Sequence, residues 1–248
     1  MDDSSPLLLN RRITPPHQEF LAHLARQLDP RPGERWLDLE GGGQLAVLLW
    51  RLSAGQLAEL VCVDRAENFS ERFESLLRQL TPAPREGQIR YLVGNAALGL
   101  PRFADGEFDG VVAGESLGYA EAQDPATGRY SDAAYNRVLA ECRRLLKPGG
   151  RLVLSVDAPG RGVGPQFLQA VESAPPAQAL FDALFLERYS QWLRRQGKRG
   201  RFHFPTESEI AARLGAAGFA EWESQPSSDG GGYIIRAYKP AAASRKAA

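Results

Sequence analysis

Trp36-Leu37-Asp38-Leu39-Glu40-Gly41-Gly42-Gly43-Gln44 reads as a strand, a tight turn and the start of a helix. An apolar alternating run ends in acidic residues, three glycines follow, and a Leu/Ala-rich helical pattern begins at once. Such a turn lets backbone N–H groups approach a ligand closely at a helix N-terminus. Glycine clusters are common, so the weight of this one comes from what stands at the strand ends downstream.

Further along the chain the pattern repeats. Leu60-Val61-Cys62-Val63-Asp64 is a continuous apolar run, as expected of a parallel strand covered on both faces. A helix with Phe69, Phe73, Leu76, Leu77 and Leu80 on one stripe follows. Ile89 to Val93 predict a third strand ending at Gly94-Asn95-Ala96, and Phe108 to Val112 a fourth ending near Gly114-Glu115-Ser116. A helix over about 132–146 stops at the turn Lys147-Pro148-Gly149-Gly150, before a fifth strand at Leu152 to Val156. Upstream, Thr14-Pro15-Pro16 caps a helix bearing Phe20, Leu21, Leu24 and Leu28. Downstream, Thr206-Glu207-Ser208-Glu209 has capping-box spacing, and its helix ends at Gly218. The last two strands, near 220–225 and 232–239, are joined by a short loop, so the final one runs antiparallel to the rest. The fold class expected is α/β: a doubly wound, mostly parallel seven-stranded sheet with an antiparallel last strand.

Residues 158–205 break this rhythm with short helices near 165–174 and 178–195, and read as a helical lid or insertion within one domain over 14–240. A flexible stretch is expected at 1–13 and a disordered tail at 241–248. Thirty basic and 30 acidic side chains balance, which offers no global pull toward nucleic acid or an anionic membrane. No apolar run approaches the roughly 20 residues that cross a bilayer. Cys62 and Cys142 fall on apolar faces as reduced core residues. A cytoplasmic protein, monomer or homodimer, is expected.

The chain resembles the class I S-adenosylmethionine-dependent methyltransferases, in particular those that act on small molecules. The resemblance spans about residues 33–157 and 206–239, and Arg143-Arg144-Leu145-Leu146-Lys147-Pro148-Gly149-Gly150-Arg151-Leu152-Val153-Leu154 carries it most specifically. It implies S-adenosylmethionine as cofactor and S-adenosylhomocysteine as product. By the same resemblance, Asp38 contacts the amino group of the methionine moiety, Gly42 passes its backbone beside the cofactor, and Asp64 accepts both ribose hydroxyls. Asn95 receives the adenine amino group through its carbonyl oxygen, and Ala96 supplies backbone N–H. Glu40 and Gln44 stand where the family has glycine, so Glu40 either turns away or meets the cationic amino group or sulfonium.

Methyl transfer is an in-line displacement that mainly requires alignment, and a base only when the acceptor holds a proton. Glu115, Tyr119 and His203, near the carboxyl ends of the strands, are the candidates for contact with the acceptor; Glu115 also adjoins the cofactor. Against these stand plainer readings: Glu115 as a loop cap, and His203, between Phe202 and Phe204, as a packed histidine with a backbone partner. His17 reads as a solvated first-turn residue, with a place in a lid as the alternative. Three histidines without ligand-spaced partners give no metal site. Arg194, Arg195, Lys198, Arg199 and Arg201 suit a solvated basic helix end, the alternative being a clamp for an anionic small-molecule acceptor. Phe181, Phe185, Tyr189 and Trp192 read as the packed face of a helix, the alternative being an apolar wall over the acceptor. The rival reading is a non-catalytic binding or scaffold protein with a degenerate cofactor loop.

Overall fold

The computed structural model describes residues 15–39, 44–65, 70–114, 117–159, 169, 171–172, 174–228 and 231–242. Nine strands run in chain order: β1 (Arg35–Leu39), β2 (Glu59–Asp64), β3 (Ile89–Val93), β4 (Phe108–Ala113), β5 (Ala122–Gln123), β6 (Tyr130–Ser131), β7 (Leu146–Asp157), β8 (Glu221–Pro226) and β9 (Gly232–Tyr238). Among the described residues the α-helices with given bounds are α1 (Pro15–Leu28), α2 (Gln44–Leu52), α3 (Ser70–Leu77), α4 (Ala133–Leu145), α5 (Pro176–Lys198) and α6 (Glu207–Ala217).

Seven strands form one sheet in the order β3-β2-β1-β4-β7-β9-β8. The first five are parallel, and β9 enters antiparallel between β7 and β8. Strand alternation splits the buried side chains between two faces. Leu37, Val61, Val111, Leu152 and Leu154 join the core that contains α4 and α6. Trp36, Leu60, Cys62, Val112 and Val153 join the core that contains α1, α2 and Phe73 of α3. Cys62 and Cys142 are buried free thiols.

One row of residues crosses three strands. Trp36, Gly110 and Arg151 are register partners on β1, β4 and β7. Gly110 has no side chain, so the Trp36 ring lies flat over it, and a Cβ there would come within 2.6 Å of three ring atoms. The Arg151 guanidinium stacks over the same ring at 4.8 Å. It also pairs with Glu34 at 2.7 Å and donates to the carbonyl oxygens of Leu28 and Asp29 at the end of α1. Burial alone raises the Glu34 carboxyl, but hydrogen bonds from Arg151, Arg31 N–H and Trp36 outweigh it and hold the group below its ordinary range.

The α6 capping box forms, with Thr206 N–H donating to Glu209 Oε2 at 2.7 Å and Glu209 N–H donating to Thr206 Oγ1 at 3.3 Å. Gly218 closes the helix at φ +87°, a left-handed conformation that only glycine adopts cheaply. Three features differ from the sequence pattern. The segment Lys147-Pro148-Gly149-Gly150 is not a free turn but the bulged start of β7, tied by Lys147 Nζ to Asp109 at 2.7 Å. A small hairpin, β5–β6, adds a pair of strands to which the sequence reading assigned nothing, since two-residue strands leave no periodic signal. His17 is buried against Phe20 rather than solvated, because it shares the inward stripe of α1 with Leu24 and Leu28. Thr14, Phe69 and most of the helix expected near 165–174 lie outside the described residues.

Gly110→Ala is expected to destabilise the fold by about 1–3 kcal/mol, because the added methyl must displace Trp36 from the row. Denaturant unfolding at constant slope measures it.

Candidate functional site

Parallel strands place their carboxyl ends along one rim of the sheet, where doubly wound folds bind ligands. The rim carries Asp38 at the end of β1, Asp64 at the end of β2 and Asn95 just beyond β3. Gly94 N–H donates to the Asp64 carbonyl at 2.9 Å, which seats the turn after β3 directly beside the end of β2. The residues assigned by resemblance from these three strands therefore share one edge. Glu40, Gly42, the Gln44 side chain and Glu115 lie outside the described residues.

Asp38 has the most unusual environment of the set. It is 1% exposed, and neither carboxylate oxygen has a hydrogen-bond partner. Its register partners are Cys62 and Val112, both buried. Burial first, then repulsion by Asp64, pushes its pKa up to about 7, eased only slightly by the backbone N–H of Ala46, which approaches the carboxylate without reaching hydrogen-bond geometry. The same burial, with the charges of Asp38 and Asp64 adding to it, raises the Cys62 thiol well above its ordinary range and keeps it neutral. A carboxylate held this way is poised to receive a cation.

Asn95 caps a short 3₁₀ turn over Ala96–Leu98, its Oδ1 accepting from Ala97 N–H at 2.9 Å. One acceptor lone pair is thereby used and one remains. Arg137 Nε donates to the Ala97 carbonyl at 2.9 Å, and Glu141 accepts from Leu100 N–H at 2.7 Å, so α4 holds this turn in place. Ala96 is buried beneath it.

Farther along the rim, beyond β4, Tyr119 and His203 come together. His203 N–H donates to the Gly118 carbonyl at 2.8 Å. The Tyr119 ring meets Phe202 edge-on at 5.1 Å and Phe204 at 5.9 Å. His203 Nε2 lies 3.2 Å from the Ser131 carbonyl, which can only accept, so Nε2 carries the proton and Nδ1 is left bare. Burial, the leading cause, lowers the His203 pKa and favours the neutral ring. The histidine is thus both packed and chemically able to take a proton.

Tyr135 is the residue that sequence reading missed. It is fully buried in the first turn of α4, its ring 6.0 Å edge-on from His203 and beneath the Arg213 guanidinium at 5.0 Å. Its hydroxyl has no hydrogen-bond partner. The signal available was a polar tip on the apolar stripe shared with Val138, Leu139 and Cys142. From Tyr119 an aromatic chain leads outward through Phe202, Trp192 and Tyr189 to Phe185, with centroid separations of 5.1–5.9 Å. The basic run is divided. Arg201 pairs with Glu121 and stacks on Phe202, whereas Arg194, Arg195, Lys198 and Arg199 are exposed. Among the described residues no cluster of His, Cys, Asp and Glu suits a metal ion, and no helix is long and apolar enough to cross a membrane.

Comparison with known proteins agrees with this geometry. A family model described as a methyltransferase domain matches residues 37–154, from Leu37 on β1 to Leu154 on β7. The demethylmenaquinone methyltransferase of Bacillus cereus is 28% identical over 214 residues, covering 85% of this chain and 80% of its own. A SAM-dependent methyltransferase from Thermotoga maritima superposes with a TM-score of 0.55 at 19% identity, over 93% of this chain and 91% of its own. The cyclase SpnF shares the fold at a TM-score of 0.59 and 18% identity, over 91% of this chain and 82% of its own. The matched model makes residues 37–154 a methyltransferase domain, and the strand order of the sheet is that of the class I methyltransferase fold.

Proposed function

We propose that the protein transfers a methyl group from S-adenosylmethionine to a flat, lipophilic small molecule such as a naphthoquinol. The buried, unpaired Asp38 carboxylate at the end of β1 carries the cofactor half of this reading. A cationic amino group placed there meets a negative charge that has no other partner. Asp64 offers two acceptor oxygens to a diol, and Asn95 a remaining lone pair to an amino group. When bound, S-adenosylmethionine supplies an electrophilic methyl group on a sulfonium.

The acceptor half rests on the aromatic surface of Tyr119, Phe202 and Phe204, together with the similarity to the demethylmenaquinone methyltransferases of Bacillus. Rings of this kind favour a planar apolar ligand. Nδ1 of neutral His203 takes the proton that an acceptor hydroxyl must lose as its nucleophilic atom attacks, and the Tyr135 hydroxyl donates to an acceptor oxygen. The protein's remaining task is to align the two reactants and exclude water. Calorimetric titration with S-adenosylmethionine and with S-adenosylhomocysteine tests the whole scheme. Absence of binding to both at millimolar concentration favours the non-catalytic scaffold reading that Glu40 and Gln44 suggest.

Two further outcomes are expected. An aspartate with a raised folded-state pKa contributes stability while protonated, and that stability is lost as pH climbs from its ordinary range toward about 7. Asp38→Asn is therefore expected to stabilise the cofactor-free protein by a few kcal/mol, about 2–4, at about pH 8 and to change little below about pH 4. In the wild type, cofactor affinity is expected to rise between about pH 5 and 7, with proton release visible as buffer-dependent binding heat. Tyr135→Phe is expected to raise thermal stability by about 1 kcal/mol, since it removes an unsatisfied buried hydroxyl, while slowing turnover of 1,4-dihydroxynaphthalene. Equal stability and equal turnover in that variant would remove Tyr135 from the site.

A further inference from the structure

Helix α5 is turned inside out. Its buried residues are Asp182, Leu186, Ser190 and Gln196, three of the four polar, and Gln178 Nε2 donates to Asp182 Oδ1 at 2.8 Å. Leu180, Phe181 and Leu184 instead stand 67%, 65% and 55% exposed. An ordinary surface helix does the reverse. The sequence reading took Phe181 for part of a packed face; the structure leaves it outside, because the inward positions of the same helix are filled by Asp182, Leu186 and Ser190.

The apolar patch continues into charge. Leu180, Leu184, Arg188, Gln191, Arg195 and Lys198 follow one another at three- and four-residue steps, all exposed, and so occupy one continuous stripe. The first half of the stripe is apolar and the second half basic. Glu187 flanks it and is occupied by Gln191 at 2.7 Å. Such a stripe complements a surface that is apolar within and negatively charged at its boundary.

We propose that this face of α5 docks on an anionic lipid bilayer, with Leu180, Phe181 and Leu184 entering the boundary and Arg188, Arg195 and Lys198 lying on the headgroups. A second copy of the chain suits the stripe less well, because two-fold pairing over the apolar half leaves the basic half of each copy without a counter-charge, whereas an anionic bilayer meets both halves at once. The balanced net charge of the chain pointed away from membranes only because it averages this surface against acidic ones elsewhere. The proposal deepens the reading of a lipophilic acceptor and rests on it for its purpose: behind the stripe, Phe185, Tyr189, Trp192 and Phe202 form the aromatic chain that reaches Tyr119. A ring-bearing molecule dissolved in the bilayer thus has an apolar path to the site.

The test is co-sedimentation of the full chain with phosphatidylglycerol vesicles and with phosphatidylcholine vesicles. Binding is expected to the first, weakening as salt is added, and little to the second. Replacing Leu180, Phe181 and Leu184 together by Ser is expected to reduce binding by about tenfold or more, and Arg188→Glu with Arg195→Glu to abolish the preference for phosphatidylglycerol. Circular dichroism and S-adenosylhomocysteine titration are expected to match the wild type for both variants, since none of these residues lies at the rim. Wild-type protein that stays in the supernatant overturns the proposal, as does a triple-serine variant that binds like the wild type. A dimer dissolved by the triple substitution, without vesicle binding, assigns the face to a second copy and overturns it as well. Vesicle binding without any binding of S-adenosylmethionine leaves the surface standing and rejects the methyl-transfer reading; the opposite pair of results rejects the surface alone.

Discussion

Arg151 lies where four segments of chain meet. Its guanidinium stacks on Trp36 of β1, forks onto Glu34 ahead of that strand, and closes the end of α1 through two backbone carbonyls. It does this from β7, across the whole width of β4. The contact is possible only because the residue between them is Gly110, whose missing side chain leaves room for an indole and a guanidinium to touch above it. A buried pair of this kind is costly to form and costly to break, so it favours one register over its neighbours. Shifting β1 by a single residue would turn Trp36 to the other face and leave Glu34 and Arg151 unpaired.

With one end of the sheet locked, the other end can afford a poor arrangement. Asp38 and Asp64 stand near each other at the rim, one of them buried without a hydrogen bond, and the Tyr135 hydroxyl is likewise unsatisfied. Neither group stabilises the empty protein. Both are explained if ligands complete them, the cofactor's cation for Asp38 and an acceptor oxygen for Tyr135. Local conflicts of this sort, set within well-packed strands, are what a binding site looks like before it is filled. The helices contribute by holding turns rather than by supplying chemistry: Arg137 and Glu141 of α4 fix the turn that presents Asn95 and Ala96.

The long helix after β7 follows a different rule from the rest of the chain. Elsewhere apolar residues face the sheet, whereas α5 spends its polar side chains inward and leaves Leu180, Phe181 and Leu184 in water. Its aromatic residues Phe185, Tyr189 and Trp192 lead on, beyond the helix, to Phe202 and Tyr119. Under the proposed reading, such a helix links the exposed stripe to the rim through that aromatic chain.

Much of the fold was legible in the sequence, because parallel strands buried on both faces leave continuous apolar runs and helices leave a 3.6-residue stripe. Ile89–Val93, the capping box at Thr206 and the left-handed Gly218 are local features with local causes. Asp38, Asp64 and Asn95 were singled out by the family resemblance, while the apolar runs marked only where the strands end. What needed the tertiary structure were properties created by neighbours distant in the chain. No spacing shows that Gly110 makes room for Trp36 and Arg151, that the carboxylate of Asp38 is left without a partner, or that Tyr135 and His203 meet across 68 residues. Nor does periodicity tell which side of α5 faces the protein: an amphipathic pattern marks two faces, and only packing decides which of them is turned to water.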